Sequence, residues 1–350
     1  MKPQAYTEFQ PLKEVLVGRS YDLEFLDSLN IPFTTKTRSL MSDLLDETEE
    51  DYQILINTLK QFGVRVRRPK ASAYKFDSGM HRLTGAYLMN PRDEQIVIHN
   101  SIIFGQWHTN ISRGYATVLT DYKRYFLPDP ALKFLNCPSI VRLGEDIIID
   151  NNEFSNTELH VKKLKQYFEP LGYNIIYTKT HDYSFKNRVP HADSMFAILK
   201  PGLILHANEN SDYSENIFKG WDLIRVDKTE QLGVSKRHKE FTNTKQKYIK
   251  ECSYAFEDSK FDDDRWFNFL NTWFSSFMGY SEETYFDVNC LVVDENNVIF
   301  SGYNPKVFKE LEKHGINPIV CPFRHRLFWD GGTHCITLDL VREGSREKYL

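Results

Sequence analysis

The segment TELHVKKLKQYFEPLGYNIIYTK, Thr157 to Lys179, carries the unit whose repetition decides the fold. Val161, Leu164 and Phe168 recur at helical spacing, so they share one face of a helix. Gly172 follows as the stop, because a helix closes readily through a left-handed residue that has no Cβ. Ile175 and Ile176 then centre a short strand. The same plan recurs in EEDYQILINTLKQFGVRVRR, with Tyr52, Leu55, Leu59 and Phe62 on the helix, Gly63 as stop, and Val64 and Val66 alternating beyond it. It recurs again in NPKVFKELEKHGINPIVCP, where Asn304 caps the helix, Pro305 opens it, Gly315 stops it and Ile319–Val320 continue as strand. A shorter copy, ENIFKGWDLIRVD, stops at Gly220.

Between these segments lie paired apolar runs with turn residues at their centres: EQIVIHNSIIFG, FAILKPGLILHA and CLVVDENNVIFSG. The unit is therefore strand, turn, strand, helix, glycine, strand. Four copies are legible, and a fifth is expected in the degenerate stretch from Ile111 to Leu135. Units repeated around an axis bring equivalent strand ends, and the residues on them, to one centre. The expected fold class is α/β.

Composition bounds the function. Of 350 residues, 41% are apolar and 14% aromatic, ample for a packed core, and the formal net charge is −4 with both signs spread along the chain. That balance excludes nucleic acid as an expected partner. The basic run Lys236 to Lys250 and the acidic run Glu257 to Arg265 read as a solvated, charged insertion around residues 233–268 of a single domain spanning 1–350. No stretch is apolar enough for a membrane span, and MKPQAYTEFQ lacks the apolar core of a signal peptide, so a cytoplasmic protein is expected. The five cysteines, Cys137, Cys252, Cys290, Cys321 and Cys335, are odd in number and show no CxxC spacing; neither a disulfide framework nor a metal site is expected.

One cysteine stands apart. In DGGTHCITLDLVR, Asp330 to Arg342, Cys335 follows a glycine pair and two polar residues at the head of the last apolar strand. Alone it reads more readily as packing than as a nucleophile. Other polar residues share its placement at strand edges. Asp93 precedes a strand in MNPRDEQIVI, and Asp146 heads one in VRLGEDIIID. His191 and Asp193 stand two apart in VPHADSMFAIL, on one side of an extended segment. Neither GxGxxG nor GxxxxGK[ST] occurs, so no nucleotide cofactor is expected. A thiol and an imidazole suggest covalent catalysis, and surplus carboxylates suit a planar cation such as a guanidinium. Attack on a resonance-stabilised guanidinium carbon needs a strong nucleophile, fixed orientation and an acid for the departing nitrogen. Thiolate, carboxylates and imidazole supply these three.

The motifs LKEVLVGR, MNPRD, RLGEDI, HADSMFAILKPGLIL and GGTHC resemble those of the amidinotransferases, in order from about Leu12 to Arg342. The resemblance implies a five-bladed, pseudo-fivefold α/β propeller working without a cofactor. It implies Cys335 as nucleophile, His191 as general acid/base, Asp146 as the partner of His191, and Asp93 and Asp193 as the carboxylates holding the guanidino group. It also implies a ping-pong reaction through an amidino-cysteine. L-arginine or a related guanidino compound is the expected donor, with ornithine the first product from arginine and a primary amine the acceptor; a second copy of the chain, in a homodimer, is the one macromolecular partner expected.

The chain departs from the family where the rest of each substrate binds. HANENSDYS after the PG strand has no basic residue for a donor carboxylate, and SEETYFDVNC places Glu282 and Glu283 where the family has a serine pair, which suits a cationic acceptor. FLNCPSIV, ahead of RLGED, lacks the family's acidic and aromatic residues. Two other readings stand beside transfer. One is an amidino hydrolase on the same scaffold, as in the arginine deiminases; the other is a binding protein whose Cys335 has ordinary thiol reactivity.

Overall fold

The computed structural model describes residues 2–28, 33, 35–70, 89–105, 110–150, 156–178, 191–207, 217–226, 286–329 and 331–350. The charged insertion and the Glu282–Glu283 pair lie outside the described residues.

Fifteen strands form five three-stranded sheets among the described residues. In each sheet two antiparallel strands are followed, after a crossover, by a third strand parallel to the second. Sheet two holds β3 (Gln95–Ile98), β4 (Ser101–Phe104) and β5 (Phe126–Leu127). Sheet three holds β6 (Ile140–Leu143), β7 (Asp146–Asp150) and β8 (Asn174–Thr178). Sheet four holds β9 (Phe196–Lys200), β10 (Leu203–Ala207) and β11 (Asp222–Val226). Sheet five holds β12 (Leu291–Asp294), β13 (Asn297–Phe300) and β14 (Asn317–Val320). Sheet one closes the ring: N-terminal β1 (Leu12–Val17) pairs with β2 (Arg65–Arg67) on one side and with C-terminal β15 (Thr337–Arg342) on the other. This is the five-bladed α/β propeller that the resemblance implies.

Local chemistry explains the modules. The helix Glu158–Phe168 starts at a capping box, with Thr157 Oγ1 accepting from the His160 amide and His160 Nδ1 accepting from the Thr157 amide. It buries Val161, Leu164 and Phe168 as the spacing predicts, each such side chain contributing about 1.5–3 kcal/mol of apolar burial. The helix Pro305–Lys313 starts at Asn304, whose Oδ1 accepts from the amides of Lys306 and Val307. In sheet one the helix runs from Thr35 to Gln61, starting well before the segment quoted above; Phe62, expected on its buried face, lies past its end and is 38% exposed. Gly63, Gly172, Gly220 and Gly315 all take positive φ between helix and third strand or just before it. The fifth unit does hide between Ile111 and Leu135: its helix is Asn110–Val118, and a 3-10 turn, Thr120–Tyr125, replaces the glycine stop, which is why the repeat fades there.

The chain ends lace the hairpin-turn end of the blades. Ala5 bridges His99, Thr7 bridges Leu143, and the Gly144 amide donates to Tyr6 O at 2.8 Å. From the other terminus, Glu347 O accepts from the Glu145 amide, and Tyr349 packs edge-on against Phe9.

Candidate active site

Cys335 is buried just ahead of β15 and is held at two points by Asn289. Its backbone N–H donates to Asn289 Oδ1 at 3.0 Å, and Asn289 Nδ2 donates to its Sγ at 2.9 Å. The preceding residues wrap the same asparagine: Thr333 Oγ1 and the His334 amide both reach Asn289 O at 3.4 Å, and Thr333 Oγ1 also donates to Ile299 O at 2.8 Å. This explains the glycine pair. A Cβ on Gly332 would sit 2.5 Å from Asn289 O, and one on Gly331 would sit 2.7 Å from Asn90 Oδ1. The Asn289 backbone leaves no room for a side chain at 332, and at 331 the Asn90 side chain would have to move aside.

Asp193 meets the sulfur from sheet four. It lies in the 3-10 turn Ala192–Ser194 at the head of β9 and is buried. Its Oδ2 accepts from His334 Nδ1 at 2.7 Å and from Asn289 Nδ2 at 3.2 Å, and takes the Cys335 S–H at 3.6 Å. Its Oδ1 is buried without a hydrogen-bond partner. Burial pushes the Asp193 carboxyl up, but the hydrogen bond and charge of His334, with His191 and Arg92, outweigh it and hold the group below the ordinary carboxylate value. His191 precedes this turn and is half-buried. Burial pushes its imidazole below the usual value, and the nearby charge of Asp193 offsets only part of that.

Asp93 arrives from sheet two on the short helix Pro91–Glu94, which is stapled to the cysteine segment. The Arg92 amide donates to Cys335 O at 3.4 Å, and Arg92 Nε reaches Thr337 O at 3.1 Å and His334 O at 3.3 Å.

Asp146 does not join this group, contrary to the sequence expectation. It faces Leu143 across the β6–β7 turn, accepts from Asn174 Nδ2 at 2.8 Å, and adjoins the turn that the C-terminal tail covers. Burial pushes its carboxyl up, and the Asn174 hydrogen bond only partly opposes this. The end of β6 that faces Asp193 is the other one: its leading turn, Cys137–Ser139, packs against Ala192–Ser194. At about 3.3 Å per residue, β6 separates the two ends by ~10 Å. An aspartate that heads the second strand of a hairpin belongs to the turn end, and the site end here carries Ser139. The charged neighbour of His191 is Asp193.

Sequence reading passed over Asn289, His334 and the ionic lattice behind them. His334 Nε2 lies 3.6 Å from Glu8 Oε2, and Glu8 forks onto Arg142, with Nε and Nη2 each at 2.7 Å. Arg142 in turn bonds Asp339, which also binds Arg92 and, at 2.8 Å, Arg342 Nε. Burial pushes the Asp339 carboxyl up, but Arg142, Arg92 and Arg342 together hold it well below its ordinary value. These residues stood in stretches already quoted: Glu8 in MKPQAYTEFQ, Arg92 in MNPRD, Arg142 in RLGEDI, Asn289 in SEETYFDVNC, and His334, Asp339 and Arg342 in DGGTHCITLDLVR. Nothing local marked them as partners.

Among the described residues no disulfide joins any two of Cys137, Cys290, Cys321 and Cys335. Burial pushes the Cys137, Cys290 and Cys321 thiols up, whereas Cys335 has an amide donor and a carboxylate at its sulfur. No group of three or more His, Cys, Asp or Glu residues able to hold a metal, and no helix long and apolar enough to cross a membrane, occurs among the described residues.

No family model matches the chain. It is 23% identical to the mitochondrial glycine amidinotransferase of Xenopus tropicalis, over 99% of this chain and 84% of the relative. It is 24% identical to the L-arginine:L-lysine amidinotransferase of Pseudomonas savastanoi pv. phaseolicola, over 99% of this chain and 96% of the relative. Among solved structures it resembles SxtG, an amidinotransferase of saxitoxin biosynthesis in Microseira wollei, with a TM-score of 0.66, 22% identity and 99% coverage of both chains. These relatives are amidinotransferases and agree with the resemblance that the motifs carry.

Proposed function

We propose that the protein is an amidinotransferase that moves the amidino group of L-arginine to an amine through an amidino-cysteine. One observation carries the reading: a buried thiol touches a carboxylate whose other oxygen is buried and without a partner. An anionic oxygen held in that state is complementary to a guanidinium N–H pair, and docking there sets the guanidino carbon beside the sulfur.

The chemistry follows from the neighbours. A thiolate beside the Asp193 carboxylate faces a like charge, so ionisation of Cys335 is favoured when a cation arrives at that carboxylate. Burial keeps His191 neutral near pH 7, in the form that accepts a proton. In the proposed sequence His191 takes the S–H proton and the thiolate attacks the guanidino carbon. His191 then protonates the departing amine, releasing ornithine, and the same imidazole deprotonates the incoming amine. Asp93 and Asp193 hold the amidino group throughout. The acceptor is a primary amine; the acidic pair Glu282 and Glu283 motivates a cationic one, such as a diamine.

The test is incubation with L-arginine and no acceptor, followed by intact mass and ornithine analysis. A mass gain of one amidino group, absent in Cys335→Ala, together with ornithine is expected. Citrulline without added amine would instead indicate hydrolysis. No adduct and no product would overturn the reading for arginine.

A further inference from the structure

We propose that Asn289 is a catalytic residue: its amide N–H is the donor that stabilises the Cys335 sulfur as a thiolate, both when it attacks and when it is expelled. The proposal rests on Cys335 being the nucleophile.

The orientation of the amide is forced. Cys335 N–H requires an acceptor, and Asn289 Oδ1 supplies it at 3.0 Å, so Nδ2 faces the sulfur. The two hydrogens on Nδ2 then face Cys335 Sγ at 2.9 Å on one side and Asp193 on the other, where Oδ2 at 3.2 Å and the backbone O at 3.3 Å both accept. The opposite flip would set an amide oxygen against the Asp193 carboxylate and an amide nitrogen against a backbone N–H. Asn289 is fully buried at 0% exposure, so water does not compete for this donor. The backbone N–H of Cys335 is already used by Oδ1 and cannot serve the sulfur.

The donor matters at the moments when charge gathers on sulfur. In the first half-reaction the S–C bond forms, the C–N bond of the donor breaks, and the S–H proton ends on the departing amine. In the second, the acceptor N–C bond forms, the S–C bond breaks with its electron pair left on sulfur, and a proton from the acceptor nitrogen returns there. A fixed N–H aimed at the sulfur strengthens as the charge appears and needs no reorganisation.

Asn289→Leu removes the donor at similar volume, and Thr333→Val loosens the same loop by removing its bond to Ile299 O without touching the sulfur. The readout is the pH profile of Cys335 alkylation by iodoacetamide, followed by peptide mass spectrometry in the full chain. Asn289→Leu should slow alkylation at neutral pH about 10-fold or more and move the midpoint up by about one pH unit, the scale of a lost hydrogen bond to a charged group. Thr333→Val should leave the midpoint in place. An unshifted midpoint in Asn289→Leu, or an equal shift in Thr333→Val, overturns the proposal. Should the leucine variant not fold, Asn289→Asp keeps the acceptor for the Cys335 amide while presenting an anion to sulfur, and must shift the midpoint in the same direction. The arginine adduct of the wild-type protein is scored separately. Adduct formation with an unmoved midpoint removes only the role of Asn289, whereas absence of the adduct removes arginine as the donor in the proposed function.

Discussion

Asp193→Asn separates two effects of one carboxylate that carry opposite signs. For an incoming guanidinium, the substitution removes charge-assisted hydrogen bonds at the open Oδ1 and presents either a neutral acceptor or a repelling N–H. Lost bonds of that kind cost about 3 kcal/mol, or roughly 100-fold in affinity. For the sulfur the change is favourable. A carboxylate oxygen 3.6 Å from Sγ opposes thiolate formation, by about 5 kcal/mol at an effective dielectric of 20. Partial neutralisation by His334, at 2.7 Å from the same oxygen, reduces what the substitution recovers, so a gain of ~1–2 kcal/mol, about 10-fold in thiolate population, is expected. One preparation therefore gives two measurements: the arginine concentration for half-maximal adduct formation, and the iodoacetamide rate at Cys335 without arginine. The first should rise about 100-fold while the second rises about 10-fold. Arginine affinity within ~3-fold of wild type would show that Asp193 does not hold the guanidino group. Slower alkylation would show that its charge does not govern the sulfur.

Asp339→Asn tests the lattice behind the site. It deprives three buried guanidiniums, Arg92, Arg142 and Arg342, of a shared carboxylate, and breaking buried pairs in this way costs ~3–5 kcal/mol, to be read from urea denaturation. The folded values of Glu8 and Asp339 are both depressed, so their stabilisation is complete above the unfolded carboxylate range, about pH 4, and is lost as pH falls through the folded values. The wild-type urea midpoint should stay level down to ~pH 4 and then decline, and Asp339→Asn should decline less steeply. Asp146→Asn should keep turnover within ~3-fold of wild type, because its partner is Asn174 at the turn end of the hairpin; a 100-fold loss would restore it as the partner of His191.

The modules were legible because each obeys local rules. Apolar spacing set the buried faces of the helices Glu158–Phe168 and Pro305–Lys313, and left-handed glycines marked where chain direction changes. The faded fifth unit escaped detail because a 3-10 turn without glycine does the same work there. Asp146 was misplaced for a related reason: a residue ahead of an apolar run can sit at either end of a blade, and only the hairpin partner tells which.

What the sequence determined alone was the kind of unit, its repetition and the stock of reactive groups: one thiol after a glycine pair, an imidazole and several carboxylates. Those depend on neighbours within a few residues. Only the tertiary structure decided which of them meet. Asn289 reaches Cys335 across 46 residues, and Asp193 reaches His334 across 141, through strand heads that become adjacent when the C-terminal strand closes the ring on the N-terminal one. Contacts between blades are set by closure of the whole ring, and closure is not a property of any single segment.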